Sequence, residues 1–243
     1  MRKTLFGLWY LPVFTVLTVL AACVCLVASI FSKDLARRLT SQTWASIVLA
    51  PARIKVLVPG GRGSLPARGS GGFIIYANHR SLLDIPVVTR ATRLSISWVA
   101  KAALGRIPFF GWGLKRVHML VDRGGSVEAA RQMLGEASRR LQNGEIMAIF
   151  PEGTRNKTPE PILPFKKGAF ILAKHTGVPL VPVAILHSGE LWPSGSLVPK
   201  PGTVKVAVGE PISPKAGESL SKLAQNAEEA LRNLYLGLEK EEA

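Results

Sequence analysis

Two apolar, strand-like segments that each end in a short polar block constrain the fold of this chain more than any other feature. Residues 72–77 lead into the polar block 78–84, and residues 145–149 lead into the block 150–155. In an α/β sheet, binding and catalytic groups sit at the carboxyl ends of buried strands. The pattern therefore predicts an α/β fold with both blocks at one edge of the sheet.

The rest of the chain alternates strand-like and helix-like segments. Further strands are predicted at 54–58, 94–100, 119–121, 179–186 and 202–208, and helices near Pro86 and at 126–142, 167–175 and 220–241. This alternation predicts a mixed, largely parallel sheet flanked by helices. Residues 105–113 are predicted to form a glycine-rich turn.

The N-terminus carries an uncharged stretch, residues 4–32. Residues 13–31 alone would span roughly 28 Å as a helix, which is close to the thickness of a bilayer's hydrocarbon layer. The stretch is too long for the apolar part of a secretory signal. We therefore expect an N-terminal apolar membrane-docking helical segment, residues 1–52, ahead of a domain of residues 53–243. Because of Pro12, a spanning helix and a re-entrant hairpin are both open, and a buried helix or an uncleaved leader is the alternative.

Residues 35–50 predict a second helix with two interpretations. Either it lies in the membrane interface with Trp44 at the level of the headgroups, or it is an amphipathic helix that caps the domain. The only cysteines, Cys23 and Cys25, fall in the apolar stretch and are expected to face lipid. Their placement disfavours structural zinc and a disulfide framework.

The charge is strongly basic and unevenly distributed. The formal net charge is +15; residues 1–209 hold 27 Lys and Arg against 9 Asp and Glu, and residues 210–243 hold 4 against 7. A basic field suits nucleic acid, an anionic membrane or an anionic small molecule. The basic residues are scattered without interleaved aromatic residues, which disfavours nucleic acid as a partner. Nucleotide-binding glycine motifs and the HExxH zinc motif are absent from the sequence.

The first polar block offers a base with a carboxylate partner, His79 and Asp84. Histidine is the side chain best suited to take a proton from an alcohol near neutral pH, and a carboxylate on its other nitrogen orients the ring. Residues five apart in one helix are rotated by about 140°, so His79 must precede the helix to reach Asp84. Asp84 as a helix cap and His79 as an ordinary loop residue remain the alternatives. Ser81 is poorly spaced to act as a nucleophile, which favours direct attack by a substrate hydroxyl.

The second polar block has the residue types of a phosphate cradle. Gly153 allows close backbone approach, Thr154 offers a hydroxyl and an amide, and Arg155 offers a planar fork. Lys101 and Arg123 each follow a predicted strand and are further candidate cations at the same edge. Glu152 is a candidate to shape the loop or to bind a substrate hydroxyl. The alternative is a Glu–Arg ion pair on a surface turn.

The two blocks together resemble the glycerolipid acyltransferase family with the HxxxxD motif, specifically its 1-acyl-sn-glycerol-3-phosphate acyltransferases. The resemblance covers roughly residues 55–210. Its motifs are Asn78-His79 with Asp84, and Phe150-Pro151-Glu152-Gly153-Thr154-Arg155. Weaker matches are Asp122-Arg123, Lys167-Gly168 and Val181-Pro182-Val183.

The resemblance implies a membrane enzyme that makes phosphatidate. His79 would be the general base and Asp84 its partner, while Arg123, Gly153, Thr154 and Arg155 would surround the phosphate of lysophosphatidate. The acyl donor would be acyl-CoA or acyl-carrier protein, and no metal or other cofactor is expected. The alternatives are the same chemistry on glycerol-3-phosphate, another lysophospholipid or a lyso-ornithine lipid, a thioester hydrolase, and a non-enzymatic basic membrane or nucleic-acid binder.

Overall fold

One seven-stranded sheet forms the centre of the molecule in this computed structural model, which describes residues 2–67, 69–122 and 126–241. The strands are β1 (Ile54–Leu57), β2 (Phe73–Ala77), β3 (Ile96–Lys101), β4 (Met119–Val121), β5 (Ile146–Ile149), β6 (Leu180–Leu186) and β7 (Gly202–Val208). Their order is β1-β7-β6-β2-β5-β3-β4. The β6–β7 pair is antiparallel and the other neighbouring pairs are parallel. The predicted mixed, largely parallel sheet is confirmed.

Helices cover both faces of the sheet. They are α1 (Arg2–Phe31), α2 (Lys33–Leu49), α3 (Asp84–Thr92), α4 (Phe110–Val117), α5 (Val127–Gln142), α6 (Gly168–Thr176), α7 (Ser188–Leu191) and α8 (Leu220–Lys240), with a 3₁₀ helix at Ala102–Arg106. Alternate residues of β2 enter opposite cores: Phe73 and Ile75 pack with α2 and α3, and Ile74 and Tyr76 pack with α5, α6 and α8. A strand buried on both faces reads as a continuous apolar run, which is why residues 72–77 lack alternation.

The predicted glycine-rich turn at 105–113 is right only for residues 107–109, because residues 105–106 end the 3₁₀ helix and residues 110–113 begin α4. The glycines in these helices permit close packing. A Cβ on Gly111 would lie 2.6 Å from the carbonyl carbon and oxygen of Gly105. The short helix α7 was not anticipated either.

The apolar N-terminal stretch is one helix that continues through Pro12. Among the described residues, one segment, Trp9–Phe31, is long and apolar enough to cross a membrane by length and composition. It packs against α2 and α4 on one side. On its other side, Val16, Leu20, Val24, Val27, Ile30 and Phe31 are exposed.

Helix α2 caps the domain. Its Val48 and Leu49 join the same core as β2, and Trp44 faces α1, where its ring N–H donates to Thr18 Oγ1 at 3.2 Å. The expectation that both cysteines face lipid is wrong for Cys25, which is buried against α4 with its Sγ 3.9 Å from the Gly113 carbonyl oxygen.

The contact at Gly111 predicts opposite effects for two glycine substitutions in helices. Alanine stabilises a helix interior by about 1 kcal/mol relative to glycine. Gly135 in α5 has open space around it, so Gly135→Ala should raise the thermal unfolding midpoint. Gly111→Ala should lower it, because the new methyl group meets backbone atoms that cannot move aside. Equal midpoint shifts for the two variants in thermal unfolding would contradict the packing described here.

Candidate active site

The imidazole of His79 contacts the carboxylate of Asp84 at the carboxyl end of β2. His79 Nδ1 lies 2.7 Å from Asp84 Oδ2, and the Asp84 side chain is fully buried. The geometry arises because α3 begins at Asp84, so that residues 78–83 form a loop that returns over the first helical turn. Asp84 Oδ2 also accepts hydrogen bonds from the backbone N–H groups of Arg80 at 2.7 Å and Ser81 at 2.8 Å. The Asp84 carboxylate therefore holds the loop that carries His79.

This hydrogen-bond pattern determines the tautomer of a neutral His79. Because Asp84 Oδ2 accepts bonds in this network, Nδ1 carries the ring proton and donates it. Nε2 is then left with a lone pair that can accept a proton. The side chain remains 19% exposed, so a substrate can reach the ring.

Ser81 is not available as a nucleophile. It is fully buried, and its hydroxyl donates to the carbonyl oxygen of Trp192 at 2.8 Å and accepts from the backbone N–H of Leu83. A hydroxyl engaged in this way cannot reach a thioester. The arrangement favours direct attack by a substrate hydroxyl over an acyl-enzyme at this serine.

The second polar block and the residue after it, Asn156, bind the backbone of His79 on both sides. Strand β5 pairs in parallel with β2, with Ile149 opposite Tyr76, so the two polar blocks leave the sheet side by side. Glu152 Oε1 accepts the N–H of His79 at 2.6 Å, and the N–H of Asn156 donates to the His79 carbonyl oxygen at 2.6 Å. The position of His79, the predicted base, therefore depends on this segment.

Glu152 is a buried link between loops. Its side chain is 3% exposed, and its second oxygen accepts the N–H of Leu163 at 2.9 Å. Burial raises the pKa of this carboxyl to about 7, against the opposing effect of the two backbone hydrogen bonds. Both carboxylate oxygens of Glu152 therefore bind backbone N–H groups and fix the shape of the loop. The role of Glu152 in binding a substrate hydroxyl stays a prediction.

An aromatic stack supports the base. The Phe150 ring lies parallel to the His79 ring, with centroids 4.0 Å apart, and the Trp98 ring lies 5.3 Å from Phe150 on β3. Trp98 also forms part of the wall of an apolar cavity of about 140 Å³ between β3 and helices α1 to α4. The stack therefore lies between the base and an apolar space.

The predicted phosphate cradle forms a turn next to His79. Gly153 is buried and has a φ of +71°, and a Cβ there would lie 2.8 Å from Cδ and Cε of Lys166. Thr154 is exposed and Arg155 is partly exposed. Sequence reasoning did not assign Lys166 to the site, although its side chain covers the turn.

Of the two remaining predicted cations, Lys101 lies at the same edge. Lys101 ends β3 and is exposed, two strands from β2 in the sheet order. Arg123 falls outside the described residues, shortly after β4. Within the described parts of the chain, no group of three or more His, Cys, Asp or Glu side chains is placed to hold a metal ion. The expected independence from metals and cofactors stays a prediction.

Two supporting residues have roles that the sequence did not reveal. The amide of Asn78 exchanges two hydrogen bonds of 2.8 Å with the backbone of Ile185, which ties the end of β2 to β6. The guanidinium of Arg80 donates to the carbonyl oxygens of Glu160 and Thr158, both at 2.7 Å. Both contacts join residues more than 75 positions apart. In the sequence, only the position of Asn78 and Arg80 in the first polar block indicated that these residues matter.

Comparison with known proteins identifies the family. The family model described as "Acyltransferase" matches residues 60–186, which is more than half of the chain. The chain belongs to the acyltransferase family.

Individual relatives of this acyltransferase carry a more specific name. It is 32% identical over 145 residues to 1-acyl-sn-glycerol-3-phosphate acyltransferase of Helicobacter pylori, a match that covers 60% of this chain and 61% of that protein. It is 31% identical to the Chlamydomonas reinhardtii protein of the same name over 93% of this chain and 68% of that one. The chain spans about three fifths of the length of one further curated relative and about half of the length of two others.

A solved structure shares the whole fold. The crystal structure of the 1-acyl-sn-glycerophosphate (LPA) acyltransferase, PlsC, of Thermotoga maritima superposes with a TM-score of 0.78 at 29% identity. The match covers 96% of both chains. The acyltransferase therefore shares the N-terminal helices as well as the α/β domain with that protein.

The raised pKa of Glu152 predicts a pH-dependent contribution to stability. In the folded protein this carboxyl holds its proton up to about pH 7, whereas its ordinary pKa is 4.5. The free energy of unfolding should therefore fall as the pH rises through this window, because the folded state binds more protons than the unfolded state. Glu152→Gln removes the titration. Thermal unfolding in detergent should show the wild type losing stability relative to the variant between these pH values, and a constant difference would contradict the assignment.

Proposed function

We propose that this acyltransferase moves a fatty acyl group from acyl-CoA or acyl-carrier protein to the 2-hydroxyl of 1-acyl-sn-glycerol 3-phosphate. The product is phosphatidate, and the role is phospholipid biosynthesis. The observation that carries the proposal is the 2.7 Å contact between His79 and Asp84 beside the Gly153–Arg155 turn, in a chain of this family. The names of the relatives support the same acceptor.

The chemistry needs one base and no acyl-enzyme intermediate. Nε2 of His79 takes the proton of the 2-hydroxyl while that oxygen attacks the thioester carbonyl carbon. The tetrahedral intermediate then expels the thiolate, which receives the proton from the imidazolium. Asp84 stabilises the imidazolium and keeps Nδ1 protonated throughout. A base held in place in this way contributes ~10²–10⁴-fold to the rate.

The acceptor's phosphate would bind at the turn beside His79. A phosphate prefers bidentate contact with arginine and additional hydrogen-bond donors. Arg155 and Thr154 supply such donors close to the base, and Gly153 shapes the turn, since its N–H donates to the Phe150 carbonyl oxygen. Lys101 adds positive charge along the edge, and Arg123 is a further candidate that the family resemblance implies. A phosphate fixed there positions the glycerol hydroxyl near Nε2, which reduces the entropic cost of the reaction.

Two further features support lipid substrates. The cavity behind Trp98 has apolar walls, which suit part of an acyl chain and do not suit a polar metabolite, although about 140 Å³ holds only a short segment of such a chain. The apolar helix α1 supports attachment to a membrane. Because acyl-CoA and acyl-carrier protein are cytoplasmic donors, we place the enzyme on the cytoplasmic face of the bacterial inner membrane.

A panel of acceptors tests the proposal most broadly. Full-length protein in detergent is supplied with labelled acyl thioester and, separately, lysophosphatidate, glycerol-3-phosphate, other lysophospholipids and a lyso-ornithine lipid. Lysophosphatidate should give the highest kcat/KM. Faster transfer to another acceptor would contradict the proposed acceptor, and thioester loss without any acceptor would favour a hydrolase.

Loss of the proposed base should slow turnover strongly without unfolding the protein. His79→Ala should reduce kcat by at least ~10²–10⁴-fold. His175→Ala is the matched control, because His175 is exposed on α6, away from the site. Near-normal turnover of His79→Ala would exclude the role of His79 as the base.

Loss of the arginine fork should weaken acceptor binding more than it slows chemistry. Arg155→Ala should raise the KM for lysophosphatidate by about 10-fold or more, as expected for removing a charge-assisted contact of about 1.5–3 kcal/mol. Arg131→Ala changes an exposed arginine on α5 and should leave this KM unchanged. An unchanged acceptor KM in Arg155→Ala would contradict the phosphate cradle.

A further inference from the structure

A short segment beside the active-site edge exposes four large apolar side chains. Leu104, Ile107, Phe109 and Trp112 are 39%, 45%, 49% and 50% exposed. We call these four residues the aromatic tip. Scattered exposed apolar residues are ordinary, but a concentration within nine positions marks a surface that meets a partner.

The backbone turns the aromatic tip outward at a cost in strain. Phe109 has φ +59° and ψ −60°, a conformation that a bulky residue rarely adopts. Its ring packs against Trp112 with centroids 5.0 Å apart, while the next residue, Phe110, points into the cavity wall. The contact between Gly111 and Gly105 joins the two helices that flank the turn. The tip is thus held rigidly.

The aromatic tip lies next to α1 but is separate from its exposed apolar face. Next to Trp112, Gly113 packs so closely on α1 that a Cβ there would lie 3.0 Å from the carbonyl oxygen of Ala22. The opposite side of α1 is the exposed apolar face with Val16, Leu20 and Val24. The tip and the exposed face of α1 are therefore two separate apolar surfaces.

The charges around the aromatic tip match an anionic surface. Residues 101–117 contain Lys101, Arg106, Lys115 and Arg116 and no Asp or Glu, and these four side chains are exposed. Tryptophan at the level of the headgroups with flanking Lys and Arg is the usual composition of an interfacial anchor. Each cation near an anionic lipid surface adds to the attraction.

We propose that the aromatic tip inserts into the surface layer of an anionic membrane as a second anchor, separate from α1. Arg106, Lys115 and Arg116 bind lipid phosphates around it. Because α4 starts at the carboxyl edge of the sheet, this anchor turns the His79 edge towards the lipid. A lipid acceptor then reaches the base without leaving the membrane surface.

Fluorescence quenching tests the insertion itself, independently of the reaction. Full-length wild type and Trp112→Phe are reconstituted in phosphatidylglycerol–phosphatidylcholine vesicles, and the difference between their emission spectra isolates Trp112. This component should be quenched by lipids with brominated acyl chains and protected from acrylamide in the water. Quenching by acrylamide but not by brominated lipid would overturn the proposal.

Kinetic measurements with a vesicle-bound acceptor and a dissolved acceptor test whether the anchor delivers the enzyme to lipid substrates. The double variant Phe109→Ser with Trp112→Ser should raise the apparent KM for vesicle-bound lysophosphatidate by about tenfold, because less apolar surface binds the membrane. Its activity on a short-chain acceptor dissolved as monomers should be unchanged. Ile171→Ser is the matched control, since Ile171 is 41% exposed on α6, which belongs to the core on the other face of the sheet.

The outcomes separate an anchor from other roles. A selective rise in KM at the vesicle surface supports the anchor. An equal loss with both acceptors would overturn it, because the tip would then be serving the fold or the active site. No change with either acceptor would overturn it as well.

Discussion

The buried carboxylate of Asp84 is the constraint on which the active site depends. A carboxylate removed from water is costly unless donors satisfy it. Here one oxygen receives the His79 ring and the two backbone N–H groups of Arg80 and Ser81. Satisfying that oxygen requires residues 79–81 to fold back over the start of α3. The same hydrogen bonds set the orientation and tautomer of His79, the proposed base. The Asp84 carboxylate therefore determines both the conformation of the loop and the chemistry proposed for it.

A second constraint comes from the neighbouring strand. Parallel pairing of β2 with β5 brings the two polar blocks together, and Glu152 and Asn156 then bind the two backbone polar groups of His79. Phe150 from the same block covers one face of the ring. The block that carries the proposed phosphate cradle thus also holds the base. In the proposed mechanism, this coupling would hold a phosphate at the turn close to Nε2 of His79.

The sequence predicted the elements whose cause is local. Strand β7 was predicted with its observed limits, and β2 and β5 within one residue, because apolar runs that end in polar blocks carry a strong signal. The segment 105–113 was predicted only in part: residues 107–109 turn, but Gly105 and Gly111 lie in helices, and the close packing that they permit leaves no local pattern in the sequence. The contacts of Asn78, Glu152 and Arg80 were missed for the same reason. These contacts join residues that are far apart in the sequence. They use backbone groups, which every residue type has, so no residue pattern predicts them.

Turnover of Asp84→Asn tests the central claim most directly. Asparagine keeps the size of the side chain and an acceptor for the loop amides, but it removes the charge that stabilises the imidazolium. In detergent, with labelled acyl thioester and lysophosphatidate, kcat should fall by ~10²-fold or more while thermal unfolding stays cooperative. Turnover close to that of the wild type in a folded Asp84→Asn protein would contradict the account.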